Sequence, residues 1–175
     1  LVSTTASSNI ISMNIVPPPA ISVSANPAGN ICAGTSVSFT ANPLNAGTSP
    51  AYQWQVNGVN VGTNSLTYLS NSLADGDKIY CIMNTVSICS ISPFVYSDTI
   101  NMTVKPIPVI TLNPTNPTIF SGNSIQLNSQ ITGNIATYLW SPSTTLNNPA
   151  ISNPVAKPTN TTVYKLSVNS VDNCY

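Results

Sequence analysis

The sequence predicts an all-β protein made of antiparallel β-sandwich domains in tandem. Three observations lead there: short stretches in which apolar and polar residues alternate, 15 prolines with few strong helix formers, and a long internal repeat. Alternation with a period of two is typical of half-buried strands. Proline is poorly tolerated inside helices. We therefore expect strands joined by short turns.

The same pattern occurs twice along the chain. "MNIVPPPAIS" from Met13 returns as "MTVKPIPVIT" from Met102, at an offset of 89 residues. "ICAGTSVSFT" returns as "IFSGNSIQLN", and "YQW" ending at Trp54 returns as "YLW" ending at Trp140, 86 residues later. Such a period is longer than the repeats of solenoids, so it indicates an array of small domains. The two tryptophans are predicted to mark the two cores.

The repeat divides the chain into three parts. Residues 1–17 are predicted to be the last strand of a preceding repeat, and residues 18–106 a complete domain. Residues 107–175 are predicted to be a second domain that lacks its final strand. We expect the chain to be a piece of a longer protein. Two explanations of the missing strand stay open, donation by a neighbour and simple truncation.

Strands of the complete domain follow from the alternation. In the second of them Val37, Phe39 and Ala41 point to one side. Asn57-Gly58 is a strong signal for a hairpin turn. The predicted strands, in order, begin near Ala20, Gly34, Tyr52, Ser65, Ile79 and Thr99. Short strands with turns every 8 to 12 residues are typical of a β-sandwich.

Composition argues against an enzyme. The chain has no His, Arg or Glu, and its charges are four Lys and four Asp. General acid–base catalysis needs a group that titrates near neutral pH, and we expect neither a cofactor nor a metal. A net charge of zero with scattered lysines predicts no nucleic-acid partner. No apolar run approaches the length of a membrane span.

Asp75-Gly76-Asp77 is the closest pair of carboxylates. Calcium binding is one interpretation, because calcium favours clustered oxygen ligands. The favoured interpretation is a tight turn, in which Asp77 accepts hydrogen bonds from backbone amides.

The pattern of the complete domain resembles an immunoglobulin-like (Ig-like) domain. It consists of Gly34, Val37, Phe39, Trp54 and the step from Asp75 to Cys81. In that family an inner Trp packs over a disulfide between the second and sixth strands. Here Ala41 stands at the second-strand position, so that bridge cannot form.

Two longer phrases resemble repeats of large secreted Bacteroidetes surface proteins and adhesins. "YQWQVNGVNVGTNSLTYLSNSLADGDKIYCIM" is similar to their Ig-like repeats, and "YLWSPSTTLNNPAISNPVAKPTNTTVYKLSV" to their PKD-like repeats. The resemblance implies a secreted or bacterial cell-surface location. It also implies a structural role, in which the module spaces or presents a distal adhesive domain or forms a filament. Its partners would be neighbouring repeats and other copies of the chain.

Two alternatives to this structural role stay open. The sandwich is itself an adhesin module that binds a glycan or surface protein through the stretch from Thr85 to Ser97, or it is an accessory domain of a secreted enzyme. Asp98-Thr99-Ile100 is similar to Bacteroidetes O-glycosylation sites, which makes Thr99 a candidate for modification, although an ordinary strand start is favoured.

Cys32, Cys81 and Cys89 are the disulfide candidates in the complete domain. In the second copy Phe120 replaces Cys32 and Leu166 replaces Cys81, whereas Cys174 preserves the position of Cys89. Positions that change together are candidates for contact, which favours Cys32–Cys81. A local Cys81–Cys89 bridge is the alternative, and so are cysteines that are simply small buried side chains.

Overall fold

The computed structural model describes residues 9–85 and 92–175, and these residues form strands and turns with no helix. The prediction of an all-β protein is confirmed. The Asn57-Gly58 turn is also confirmed, because both residues have positive φ, 52° and 82°. Two central residues of positive φ are what a tight hairpin turn requires.

Sixteen strands are found in the described residues. The first eight are β1 (Ala20–Asn26), β2 (Asn30–Cys32), β3 (Val37–Leu44), β4 (Ala51–Val56), β5 (Val59–Val61), β6 (Thr67–Ser70), β7 (Lys78–Asn84) and β8 (Phe94–Tyr96). The others are β9 (Ile100–Asn101), β10 (Thr103–Lys105), β11 (Val109–Asn113), β12 (Ile125–Gln126), β13 (Asn128–Thr132), β14 (Ile135–Ser141), β15 (Val155–Ala156) and β16 (Lys165–Ser170).

The described chain separates into two compact units. Unit 1 contains residues 9–24, 39–68, 79–85 and 92–100, and unit 2 contains Ala25–Ser38, Leu69–Lys78 and Asn101–Tyr175. Unit 2 therefore contains three segments of the stretch that the sequence assigns to the complete domain, residues 25–38, 69–78 and 101–106. The domain boundaries 1–17, 18–106 and 107–175 stay a prediction. A sheet with residues in both units is assigned to the unit that holds most of its residues.

Unit 1 is built on two sheets. One has the strand order β1-β3-β6, and the other has the order β5-β4-β7-β8, with β9 also paired to β7. The order β1-β3-β6 matches strands A-B-E of an Ig-like sandwich, and the order β4-β7-β8 matches strands C-F-G. The strand order therefore places unit 1 in the Ig-like class of β-sandwiches.

The core of unit 1 joins the two sheets through aromatic rings. The ring centroid of Phe39 in β3 lies 6.3 Å from that of Trp54 in β4, and Tyr68 in β6 lies 5.9 and 6.0 Å from these two. Such separations are typical of favourable aromatic pairs. Phe39 and Trp54 are fully buried, as the alternation predicts.

Unit 2 consists of strand pairs. The antiparallel pairs are β11–β13, β12–β15 and β14–β16, and β2 pairs with β10 in parallel. Its core contains Leu127, Trp140, Ala156 and Leu166. Trp140 is 2% exposed, so the second predicted core marker is confirmed as well.

The two tryptophans have matching environments. The indole N–H of Trp54 donates to the carbonyl of Ser65 at 3.0 Å, and that of Trp140 donates to the carbonyl of Ile151 at 3.0 Å. In both cases the acceptor lies 11 residues further along the chain. The two acceptors, Ser65 and Ile151, are therefore separated by the same 86 residues as the two tryptophans.

Candidate functional site

The disulfide is the most distinctive chemical feature of the described residues. Cys32 bonds to Cys174, with the two Cα atoms 5.5 Å apart and the two residues 142 positions apart in sequence. Cys81 is buried and free. The predicted Cys32–Cys81 bridge is therefore wrong, and Cys89 lies outside the described residues.

Strand register explains why Cys81 does not pair with Cys32. Cys81 lies directly opposite Trp54 in the β4–β7 pair, and Leu166 lies opposite Trp140 in the β14–β16 pair. The replacement of Cys81 by Leu166 in the second copy is thus an exchange between two apolar core side chains. The replacement of Cys32 by Phe120 has a different cause. Cys32 forms a disulfide with Cys174, whereas a phenylalanine forms no such bond.

Cys32 is held by the parallel pair of β2 and β10. It lies opposite Lys105 in the register, and the next amide, that of Ala33, donates to the carbonyl of Lys105 at 2.8 Å. Gly34 then takes a φ of 82°, which turns the chain away from β10. Such a φ is favourable for glycine and costly for most other residues.

Cys174 is held by a turn that follows β16. Its amide donates to the Oγ of Ser170 at 2.8 Å, and the same Oγ donates to the Cys174 carbonyl at 3.0 Å. Asn173, with a φ of 57°, reverses the chain there. Cys174 is 1% exposed, so the turn places a buried cysteine next to Cys32.

A shallow cavity of about 200 Å³ borders the disulfide. It is lined by Asn30, Ile31, Cys32, Lys105 and the stretch from Val171 to Cys174. Cys32 is the more exposed of the two bonded residues, since it is half-buried and Cys174 is 1% exposed. The cavity is too small and too open to enclose a drug-sized ligand.

Cys81 has an altered acidity. Burial raises the pKa of its thiol to about 11, and a backbone hydrogen bond from Gln53 opposes this in part. Burial also raises the pKa of Tyr52, with a smaller contribution from Cys81. A thiol of raised pKa is mostly protonated at neutral pH and is a weak nucleophile there.

The Asp75-Gly76-Asp77 segment is a turn, as favoured by the sequence. The Asp77 carboxylate accepts from the Ala74 amide at 2.8 Å, which confirms the role predicted for it. The Asp75 carboxylate accepts from the Val104 amide at 2.8 Å and so ties the turn to β10. Over residues 9–85 and 92–175, no three His, Cys, Asp or Glu side chains are grouped as metal ligands would be.

Asp98 lies beside β1. The Asp98 carboxylate accepts a hydrogen bond from the Val23 amide at 2.9 Å. This bond connects β1 to the segment that precedes β9. Thr99 is exposed and O-glycosylation there stays a prediction.

None of the described segments forms a helix that is long and apolar enough to cross a membrane.

The disulfide partner that sequence reasoning missed is Cys174. A signal was present, since Cys174 is the sole cysteine of the second copy and Cys32 has no counterpart there. Both facts are consistent with a disulfide between a cysteine of the first copy and a cysteine of the second.

No family model matches the chain, and no curated protein matches it. The structure is similar to fibronectin(III)-like modules of CbhA from Clostridium thermocellum, with a TM-score of 0.39 and 11% identity over 87% of each chain. It is similar to the Ig1–Ig3 ectodomain of mouse nectin-like molecule 4, with a TM-score of 0.37 and 11% identity over 86% of this chain and 58% of that one. For the four N-terminal Ig domains of Dscam1 isoform 6.9 the TM-score is 0.36, with 21% identity over 81% of this chain and 39% of that one.

Proposed function

We propose that this chain is a non-catalytic structural module of a secreted bacterial surface protein, where it spaces or presents a distal adhesive domain or forms part of a filament. The observation that carries the proposal is that aspartate carboxylates of this chain bind backbone amides. Of the four Asp in the chain, Asp75, Asp77 and Asp98 accept hydrogen bonds from backbone amides. These acidic groups hold strands and turns in place, which is what a structural module requires.

Two further features support the proposal. Disulfides persist in oxidising compartments, so the Cys32–Cys174 bond favours a location outside the cytosol. The matching environments of Trp54 and Trp140 favour an array of related repeats. The neighbouring repeats are then the first partners of this module, as the sequence pattern indicates.

A domain exchange tests the structural role. In the parent protein, residues 18–106 are replaced by an unrelated β-sandwich of similar length or by a Gly/Ser-rich segment with the same number of residues. A folded spacer of any sequence is expected to keep surface display and adhesion, whereas the flexible segment is expected to reduce adhesion because it no longer holds the distal domain out. Loss of adhesion with the unrelated sandwich, to the level of a simple deletion, would contradict the proposal.

A binding role is the second candidate, and one observation favours it. Phe94 and Tyr96 in β8 are 51% and 62% exposed, and alternation places both on the same side of the strand. Exposed aromatic side chains are enriched at protein interfaces. The partner would be a glycan or a surface protein.

A glycan array and a pull-down from cell-surface extracts test this second role. Binding that is lost in the F94S/Y96S double variant and kept in V59S would support it, because Val59 is also well exposed, at 66%, but lies on β5 rather than β8. Empty results with the unaltered chain would remove it.

A further inference from the structure

The Cys32–Cys174 bond joins two points that are far apart along the chain and adjacent in space. The sequence separation is 142 residues, while the Cα atoms are 5.5 Å apart. Stretched out, that stretch of chain would span roughly 470–510 Å at about 3.3–3.6 Å per residue. One covalent bond thus prevents most of the chain from contributing to its extended length.

We propose that this disulfide is a tension strap: a pulling force that enters upstream of Cys32 and leaves downstream of Cys174 passes through the S–S bond, so that residues 33–173 do not extend. This inference rests on the proposed structural role, since a spacer outside the cell is exposed to pulling forces. A strand pair without such a bond resists pulling only with non-covalent contacts such as hydrogen bonds, each of which contributes little by itself. The strap replaces that resistance with a covalent bond.

The segment that still feels the force is the part of the chain before Cys32. It contains β1, whose Ile21 and Val23 are each 8% exposed, and whose Val23 amide donates to Asp98. It also contains β2, which pairs with β10 up to Cys32 itself. The force therefore acts first on β1 and β2, while β3 to β16 lie within the closed loop.

The position of the bond makes the strap removable in an experiment. The cavity of about 200 Å³ beside it is lined by both cysteines, and Cys32 is half-buried. A small dithiol such as dithiothreitol is therefore expected to reach the bond in the folded protein. The chain can then be compared with and without the strap, with no change of sequence.

The test is single-molecule force spectroscopy with handles at residues 1 and 175. The oxidised protein is expected to lengthen by no more than the reach of residues 1–32, roughly 105–115 Å at full extension. Addition of dithiothreitol under constant force is expected to release a further length of roughly 470–510 Å. Full extension of the oxidised protein, to roughly 580–630 Å, would overturn the proposal.

Variants give matched controls. C32S and C174S are each expected to extend fully without dithiothreitol, whereas C81A is expected to keep the short extension, because Cys81 is not in the bond. A C81A protein that extends fully would show that Cys81 closes the loop and would overturn the proposal. Should C32S and C174S fail to fold, the dithiothreitol experiment on the unaltered chain still decides.

The force-spectroscopy experiment and the domain exchange can fail independently of each other. A short oxidised extension together with a failed exchange leaves the strap in place and removes the spacer role. A full oxidised extension together with a successful exchange removes the strap and leaves the spacer role.

Discussion

Cys81 lies directly opposite Trp54 on the neighbouring strand, and its side chain is fully buried in the core of unit 1. Leu166 has the same place opposite Trp140. The position is therefore an apolar core position that accepts either a thiol or a branched aliphatic side chain. Burial raises the pKa of the Cys81 thiol to about 11, from an ordinary value of 9.0.

We expect the Cys81 thiol to make stability depend on pH in the alkaline range. Below pH 9 the thiol is protonated in both the folded and the unfolded chain, so its contribution to stability is complete. Between pH 9 and about 11 the unfolded chain releases this proton while the folded chain retains it, and the free energy of unfolding falls as pH rises. The total loss is about 3 kcal/mol at most, at 1.36 kcal/mol per pKa unit.

Urea unfolding of the unaltered chain and of C81A, followed between pH 8 and 11, measures this effect. Subtracting the C81A values removes the contributions of the other titratable groups, except for the part of the raised pKa of Tyr52 that Cys81 itself causes. A difference between the two proteins that stays constant across this range would contradict the expected titration of Cys81.

Loss of the disulfide is expected to lower stability. In the chain-entropy model a loop of 142 residues contributes about 5 kcal/mol at 25 °C, because the bond restricts the unfolded chain. We expect the C32S/C174S double variant to unfold at a lower urea concentration, with a loss of about 2–5 kcal/mol. Dithiothreitol is expected to shift the midpoint of the unaltered chain and to leave that of the double variant where it was.

The two indole hydrogen bonds are expected to be stabilising. W54F and W140F each remove a buried N–H donor and part of a buried ring, and we expect each to cost about 1–3 kcal/mol. The remaining tryptophan reports unfolding by its fluorescence in each variant. Y175F is the control, since Tyr175 is 93% exposed, and its effect is expected to stay within about 0.5 kcal/mol. Equal effects of all three substitutions would contradict the role assigned to the tryptophans.

The Asp75 carboxylate is expected to stabilise the contact between its turn and β10. D75A leaves the Val104 amide without its acceptor, and we expect a loss of about 1–3 kcal/mol because Val104 is buried. The control is D172A, which removes an exposed carboxylate. Calcium is expected to leave the unfolding midpoint of the unaltered chain unchanged. A midpoint that rises with calcium, and no longer does so in D75A, would establish the calcium interpretation of this turn.

Local sequence determined much of the fold. Alternation in β3 places Phe39 and Ala41 in the core, because successive side chains of a strand point to opposite sides. The Asn57-Gly58 turn follows from residues that tolerate positive φ. The Asp77 turn follows from a side chain that hydrogen-bonds to its own backbone. Each of these features depends on interactions between residues close in sequence, and such interactions can be read without knowing the rest of the chain.

The disulfide was decided by the tertiary structure. A bridge needs Cα atoms within about 7 Å of each other, and the local pattern says nothing about which residues 142 positions apart meet that condition. The internal repeat does not identify the partner of Cys32, since the exchange of Cys81 for Leu166 reflects apolar packing opposite a tryptophan. The parallel pairing of β2 with β10 and the turn after β16 bring Cys32 and Cys174 together. Both arrangements arise only when distant strands have found their partners.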